Sequence, residues 1–405
     1  MARVVMIGIL LGAVSMNLAA GEASGAPGKR PPAVVRVPAD KPTIQAAIEA
    51  AGEGDVVLVA PGKYPGNIRL HGKSITLASH FLNSGKADDV ARTVLGGRGS
   101  SGSVIAVAPD CGPGTRIVGF TIQGGSDGIL CHARIQILNN HIRKCGDGID
   151  YEKVSGGLCR GNLFEGNRDD GIDLDDDCDV VIEHNVIRDN HDDGIEIRFH
   201  RSRRADTLHI LVRDNVISGN GEDGIQIIKH DGPDRRVLRI ERNLIRGTKM
   251  AAIGCMDKGN TRENYKGAPI GDRIYVVNNT LLDNHYGLTG GANLIAVNNV
   301  FAGTKLVAAR KVAGRSWMAW NLFWHNGTDV DRCNSDKATT LRADPRLDAD
   351  GRPKPGSPCI DAGTVTLERD GENVLRIEKK DYAGKAPDLG AFESAPAAAR
   401  ANRGR

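Results

Sequence analysis

Apolar and polar residues alternate after each copy of a short phrase, Asp-Gly-Ile, that recurs along the middle of the chain. Intact copies begin at Asp127, Asp147, Asp170, Asp193 and Asp223. After each glycine every second residue is apolar or aromatic, as in Ile149, Tyr151, Ile172, Leu174, Ile195, Ile197, Ile225 and Ile227. A period of two is typical of a β-strand with one buried face. The phrase therefore predicts one strand per copy, with these side chains in the core.

A second phrase, Asn-x-apolar, predicts a further strand in each repeat. It occurs at Asn140, Asn162, Asn185, Asn215, Asn243, Asn279, Asn299 and Asn321, so that successive copies are 22, 23, 30, 28, 36, 20 and 22 residues apart. A base period with three longer repeats is typical of a solenoid with insertions. Asn suits a sharp turn and a hydrogen-bonded ladder. We therefore interpret these asparagines, and the aspartates of Asp-Gly-Ile, as structural.

The sequence predicts an all-β fold: a right-handed parallel β-helix over residues 36–330. Residues 43–51 have the pattern of an amphipathic helix, which would cap the first coil. Terminal coils need such covers because they otherwise expose strand edges and an apolar end. Residues 331–394 lack the repeats and are predicted to be an irregular C-terminal covering segment. Residues 395–405 are predicted to be a loose basic tail.

Residues 1–20 have the pattern of a secretory signal peptide, with Arg3, an apolar run and an Ala-rich exit. No later segment could span a bilayer, so we expect a secreted or periplasmic monomer with no membrane span. The eight cysteines have no CxxC spacing, which favours disulfides or buried thiols over a zinc or redox site. The formal net charge of +3 does not indicate a polyanion, and no nucleic-acid partner is expected.

These features carry a resemblance to a known family. The opening from Pro42 to Tyr64, the two kinds of repeat, and the ending from Ser357 to Glu393 resemble the pectate-lyase-like superfamily of secreted β-helix proteins. The resemblance spans residues 36–394 and implies a carbohydrate-active protein. Because the superfamily includes lyases, hydrolases, esterases, epimerases and binding or structural members, the fold alone selects no activity.

Acidic residues occupy the outward positions of the strand after Asp-Gly-Ile. Asp150, Asp173 and Glu196 follow the glycine by two residues, and Asp175 lies two residues beyond Asp173. On parallel strands in register such positions stack about 4.8 Å apart. Carboxylates at that spacing repel each other unless a cation joins them, and calcium takes six to eight hard oxygen ligands in a tolerant geometry. These four residues are therefore a predicted calcium site, with a solvated acidic face as the alternative.

The three longer repeats place their extra residues directly after this strand, over 199–204, 229–236 and 257–272. Loops held by a rigid scaffold are where solenoids build binding walls. Four arginines in these loops are predicted to bind an acidic polysaccharide: Arg201, Arg203, Arg204 and Arg235. The alternative is ordinary charged decoration of loops.

The resemblance also implies a catalytic base, since lyases of this superfamily combine an acidic calcium site with Arg or Lys. The matching positions here are Arg198 and Lys229, with His200 and His230 as alternates, since histidine as a residue type titrates nearer neutrality than arginine or lysine.

Three functions remain open from the sequence. The first is a calcium-assisted polysaccharide lyase, or a related epimerase, acting on a glycan that contains uronic acid. The second is a glycoside hydrolase that uses two of the carboxylates as acid and base. The third is a non-catalytic carbohydrate-binding or surface protein, which suits the scarcity of aromatic side chains near the insertions, since Trp317, Trp320 and Trp324 lie beyond them.

Overall fold

The computed structural model describes residues 30–96, 102–200, 206–230, 235–259, 266–369 and 371–394. Their dominant feature is three long parallel sheets, to which successive strands contribute in turn as the chain winds. A small antiparallel hairpin, Thr366–Arg369 with Glu372–Arg376, lies outside them. Helices are few and short: Ile44–Ala50, Phe81–Ser84, Ala87–Arg92 and the 3-10 turn Lys379–Asp381.

Sheet A has twelve strands in chain order: Val34–Val37, Val56–Val59, Thr76–Ser79, Arg116–Val118, Arg134–Leu138, Gly156–Arg160, Asp179–Glu183, Leu208–Arg213, Arg236–Glu241, Arg273–Val277, Leu294–Val297 and Trp317–Ala319. Sheet B has twelve: Gly62–Tyr64, Thr93–Gly96, Thr121–Gln123, His141–Arg143, Leu163–Glu165, Val186–Arg188, Val216–Ser218, Leu244–Arg246, Thr280–Leu282, Val300–Ala302, Leu322–Trp324 and Leu341–Arg342. Sheet C has eleven: Ile68–Leu70, Ile105–Val107, Asp127–Cys131, Asp147–Tyr151, Ile172–Leu174, Ile195–Phe199, Ile225–Lys229, Ala251–Asp257, Tyr286–Thr289, Val307–Arg310 and Thr328–Asp331.

One continuous apolar core runs along the inside of the coils. Sheet C strands contribute the alternate residues that the sequence predicted to point inward, from Ile149 and Tyr151 to Ile225 and Ile227, and all of them are buried. Because the strands pair in register, the residues of one coil stack on the equivalent residues of the next, as Ile149 does on Ile172. The predicted strands and their inward face are confirmed.

A ladder of buried asparagines links successive coils at the turn between sheets A and B. Asn162 shows the pattern: its Oδ1 accepts from the backbone N–H of Asn140 at 2.9 Å, and its own backbone N–H donates to Asn185 Oδ1 at 2.9 Å. Its Nδ2 donates to the Ile137 carbonyl at 2.9 Å. The pattern continues to Asn321. These side chains satisfy backbone groups at a turn, which confirms their structural role.

Two further ladders flank sheet C. In the first, the backbone N–H of Asn167 donates to Asn190 Oδ1, and that of Asn190 donates to Asn220 Oδ1. These asparagines precede the last three intact copies of Asp-Gly-Ile and were not predicted as a ladder. The aspartates of the phrase form the other ladder: Asp170 Oδ1 accepts from the Asp193 N–H at 2.7 Å, and Asp193 Oδ1 accepts from the Asp223 N–H at 2.6 Å. Their predicted structural role is therefore confirmed.

A short helix, Ile44–Ala50, lies between the first two strands of sheet A. Thr43 begins the helix, because its Oγ1 accepts from the Ala46 N–H at 3.1 Å. Ile44, Ala47 and Ile48 are buried in the main core. The apolar face of the helix therefore packs against the start of the core.

After the last repeat the chain packs on the outer faces of sheets A and B. Leu375 of the hairpin lies on Val277 and Val297 of sheet A. Cys359 and Leu389 form a second cluster against sheet B. This segment covers the sides of the later coils, while sheet C lies on the third side of the solenoid.

Cysteines of the early coils are thiols in the core. Cys131, Cys145, Cys159 and Cys178 are buried and form no disulfide. Of the two predicted states, disulfides or buried thiols, these four residues therefore favour buried thiols. The predicted signal peptide and C-terminal tail lie outside the described residues. No helix in the part of the chain that the structure describes has the length and apolar character needed to cross a membrane.

Candidate functional site

A row of acidic residues crosses the outer face of sheet C. Asp150 pairs with Asp173, Asp173 with Glu196, and Glu196 with Gln226, each in parallel register. The predicted stacking is therefore confirmed. Asp173 and Glu196 are only 6% and 2% exposed, so their carboxylates are largely withdrawn from water.

Arg198 lies across this row and forms ion pairs with it. Its Nη1 is 3.1 Å from Asp173 Oδ2 and 3.3 Å from Asp175 Oδ1, and its Nη2 contacts Glu196 Oε2. Burial alone would lower the pKa of Arg198, but the three carboxylates raise it above its usual value. A guanidinium held this way keeps its proton, which argues against the predicted role of Arg198 as a base.

Carboxylate oxygens of Asp170, Asp173 and Glu196 lie within 4.8 Å of one another. Asp170 also belongs to a second such group, with Asp147 and Asp169. The predicted calcium set shares Asp173 and Glu196 with the first group. Among the described residues, neither group includes Asp150 or Asp175. Asp170 was missed because the sequence analysis gave it only a structural role.

The acidic groups fit a hard divalent cation. Asp173 Oδ1 is buried and makes no hydrogen bond within the described part of the chain, so one oxygen of the group is available as a ligand. Calcium prefers carboxylate oxygens but takes six to eight of them. Three side chains therefore supply part of a coordination sphere, and substrate or water would have to supply the remainder.

Burial also changes the protonation of these carboxyls. It raises the pKa of Asp173 well above the usual range, and the attraction of Arg198 offsets this only in part. Burial raises the pKa of Glu196 too. The pKa of Asp150 rises to about 7, because burial is reinforced by neighbouring carboxylates, first of all Asp127. Near neutral pH the face therefore carries protons or a bound cation.

His200 and His230 meet where their strands end. Their ring centroids are 3.9 Å apart at an angle of 71°. His200 Nδ1 lies 2.9 Å from Asp176 Oδ1. If Nδ1–H donates to this carboxylate, Nε2 is left as a proton acceptor. Both histidines were predicted from the sequence as alternate bases, whereas Asp176, the partner of His200, was not predicted.

Lys229 has a different environment from Arg198. Its Nζ is 2.6 Å from Asp272 Oδ2, a carboxylate with no exposed side-chain surface. Lys229 pairs in register with the buried Phe199, one position beyond the pair of Arg198 and Ile228. The side chains of the two predicted bases therefore leave their strands on opposite faces of sheet C. Lys229 forms an ion pair with Asp272.

The open part of the acidic face lies on the earlier coils. On the following coils the outward residues Gln226, Ile228 and Met256 are buried. On the earlier coils, His132 Nε2 of one coil is 3.1 Å from Glu152 Oε2 of the next, and both side chains are partly exposed. Of the predicted rim, Arg235 is exposed, whereas Arg201, Arg203 and Arg204 lie outside the described residues. The accessible end of the acidic face therefore lies on the side of His132 and Glu152.

Comparison with known proteins agrees with this architecture. Residues 99–233 match a family model described as right handed beta helix region. This part of the chain is a right-handed β-helix. The match and the three parallel sheets confirm the predicted fold class, and they confirm the resemblance to the pectate-lyase-like superfamily at the level of fold. A search of curated protein sequences gives no match.

Several solved structures are similar to the chain. Pectate lyase Pel9A has 16% identity and a TM-score of 0.48, with 86% of this chain and 90% of that chain covered. The A-module of mannuronan C-5 epimerase AlgE6 from Azotobacter vinelandii has 17% identity and a TM-score of 0.45, with 75% and 94% covered. A family 28 exopolygalacturonase from Yersinia enterocolitica has 14% identity and a TM-score of 0.39, with 80% of each chain covered.

Proposed function

We propose that this protein is a calcium-assisted polysaccharide lyase, or a related epimerase, that acts on a glycan containing uronic acid. The observation that supports this most directly is the group formed by Asp170, Asp173 and Glu196. When all three are ionised, these largely buried carboxylates, which lie within 4.8 Å of one another, carry more negative charge than one guanidinium can neutralise. A divalent cation, together with the carboxylate of a uronate, would complete the charge balance.

In this proposal the site residues hold calcium against the open side of sheet C. Calcium, when bound, would neutralise the uronate carboxylate and make the proton on C5 more acidic. Asp173 and Glu196 would fix its position, since both belong to rigid strands paired on each side. The row of coils that includes Glu152 and His132 would guide the chain of sugars along the face.

His200 is the candidate base. Asp176 would orient its ring through Nδ1, so that Nε2 removes the C5 proton. In a lyase the electron pair of the C5–H bond then forms a double bond between C4 and C5, and the C4–O bond breaks. The departing oxygen takes a proton from water. In an epimerase the same C5 position regains a proton on the opposite face of the ring.

A glycoside hydrolase is the second candidate, and one observation favours it. Asp173 and Glu196 lie side by side on paired strands with carboxylate oxygens within 4.8 Å of each other, and retaining enzymes use two neighbouring carboxyl groups about 5–5.5 Å apart. Burial raises the pKa of both groups, as a proton-donating carboxylic acid requires. The ion pairs with Arg198 weigh against it, because they occupy one oxygen of each carboxylate.

Product chemistry distinguishes these functions. The mature protein would be incubated with a panel of uronic-acid polysaccharides, first with calcium and then with a chelator. A calcium-dependent rise in near-ultraviolet absorbance indicates the unsaturated product of a lyase, and exchange of C5 hydrogen with solvent deuterium without absorbance indicates an epimerase. New reducing ends without absorbance indicate a hydrolase. If none of the three signals appears, the non-catalytic binding protein becomes the better interpretation.

A further inference from the structure

Arg198 contacts the same oxygens that a cation would use. It is bound to Asp173 Oδ2 and Glu196 Oε2. These two residues, together with Asp170, are the three candidate ligands of the first acidic group. A singly charged guanidinium and a divalent ion at this position repel each other, since both would lie within a few ångströms of the same carboxylates. The two cations cannot share the group in this arrangement.

The surroundings of Arg198 allow it to move. Its side chain is 25% exposed, so part of the arginine is already accessible to solvent at the outer face of sheet C. Asp175, which is 21% exposed, lies at the solvent side of the pair and would remain a partner after Asp173 and Glu196 are released. The carboxylates themselves are fixed on paired strands. Motion of the long arginine side chain is therefore the smaller rearrangement.

Asp173 provides an independent sign that a ligand belongs here. Its side chain is 8% exposed, and its Oδ1 has no hydrogen-bond partner among the described residues. Buried polar atoms are normally satisfied. Arg198 uses only the other oxygen, so the resting arrangement leaves one ligand atom unused.

We propose that Arg198 is an internal counter-ion that a divalent cation displaces from Asp173 and Glu196. Displacement turns the guanidinium toward the solvent side of sheet C, where it binds a carboxylate of the incoming acidic glycan. Arg198 is then a substrate-binding residue whose availability depends on the metal. This inference rests on the proposed calcium site, but it concerns calcium affinity rather than turnover.

Calcium titration by calorimetry tests the exchange directly. Arg198→Gln removes the competing charge, so its calcium affinity should rise by about tenfold or more relative to the wild type. Arg198→Lys keeps the charge and should stay closer to the wild type. Arg213→Gln is the matched control: Arg213 also binds a buried carboxylate, that of Glu183 on sheet A, and its removal should leave calcium affinity unchanged.

Equal or weaker calcium binding by Arg198→Gln, with the wild type binding normally, would overturn the exchange and leave the proposed function intact. Failure of both proteins to bind calcium would overturn the metal site as well. If Arg198→Gln does not fold, NMR of isotope-labelled arginine in the wild type decides the matter. Calcium should then shift the Arg198 guanidinium signal strongly, and an unchanged signal at saturating calcium would contradict the proposal.

Discussion

Asp170 Oδ1 accepts a hydrogen bond of 2.7 Å from the backbone N–H of Asp193, one coil further along. The same aspartate belongs to both acidic groups of sheet C. One side chain therefore takes part in the ladder that holds neighbouring coils and in the site that would hold a cation. Charge in the site and stability of the coils are coupled through this residue.

The acidic face should make the calcium-free protein less stable as pH rises. Burial raises the pKa of both Asp147 and Asp150 from 3.8 to about 7, so between these values the folded state holds protons that the unfolded state releases. Stability is therefore greatest below the unfolded pKa and is lost as pH increases through the folded value. Thermal melting between about pH 4 and about pH 8 should show a loss on the order of 1 kcal/mol or more per carboxyl.

Asp150→Asn should reduce this pH dependence, because it removes one of the carboxyls that titrate. Asp189→Asn is a suitable control, since the Asp189 side chain is 66% exposed and lies on sheet B's side of the coil. An Asp150→Asn protein with the full wild-type slope would show that the acidic face does not govern the effect. Added calcium should restore stability at the higher pH in the wild type.

Asp173→Asn should weaken calcium binding by at least about tenfold, because it removes a charged ligand while keeping the shape of the side chain. Calorimetric titration measures the change. Glu152→Gln serves as the control, since Glu152 is on the same face but outside both acidic groups. If Asp173→Asn retained full affinity and Glu152→Gln lost it, the site would lie further toward His132.

His200→Gln should lower kcat by about 10²- to 10⁴-fold, the usual contribution of a general base. Calcium affinity should not change, because His200 is bonded to Asp176 and not to the acidic groups. His209→Gln provides a comparison, since His209 is exposed on sheet A. Full turnover in the His200→Gln protein would assign the proton transfer to another residue.

Asn215→Ala should destabilise the coils by about 3 kcal/mol or more. The substitution leaves the buried N–H of Asn185 and the carbonyl of Ile182 without their partners. Chemical denaturation compares it with Asn373→Ala, at an exposed position of the hairpin, which should change stability by less than about 0.5 kcal/mol. Equal effects of the two substitutions would mean that the ladder adds no stability.

Register was predictable because a strand has a period of two and each coil repeats one phrase. Placing the glycines of Asp-Gly-Ile at equal positions was enough to stack Asp150, Asp173 and Glu196 correctly. The second asparagine ladder could also have been found from the sequence, because Asn167 and Asn190 each precede an Asp-Gly-Ile by three residues. That signal was present but was not used.

The partners of long side chains were not predictable. Arg198 follows Asp175 by one coil in the same outward row, yet its guanidinium also reaches Asp173 and Glu196 in the next row. Lys229 is paired with Asp272, which is 43 residues away. Strand phase gives the direction in which a side chain leaves the backbone, whereas its end point depends on rotamers and on charges from distant segments.

The asparagine ladder has a consequence for how such a chain can change its length. Each asparagine of the ladder donates its backbone N–H to the side-chain Oδ1 of the asparagine one coil later. Asn140, Asn162 and Asn185 all make this same contact and are interchangeable in this respect. A segment that begins and ends at equivalent asparagines could therefore be removed or duplicated with both new neighbours still matched. The outer face of sheet C, and the row of residues displayed on it, would then become shorter or longer by one coil.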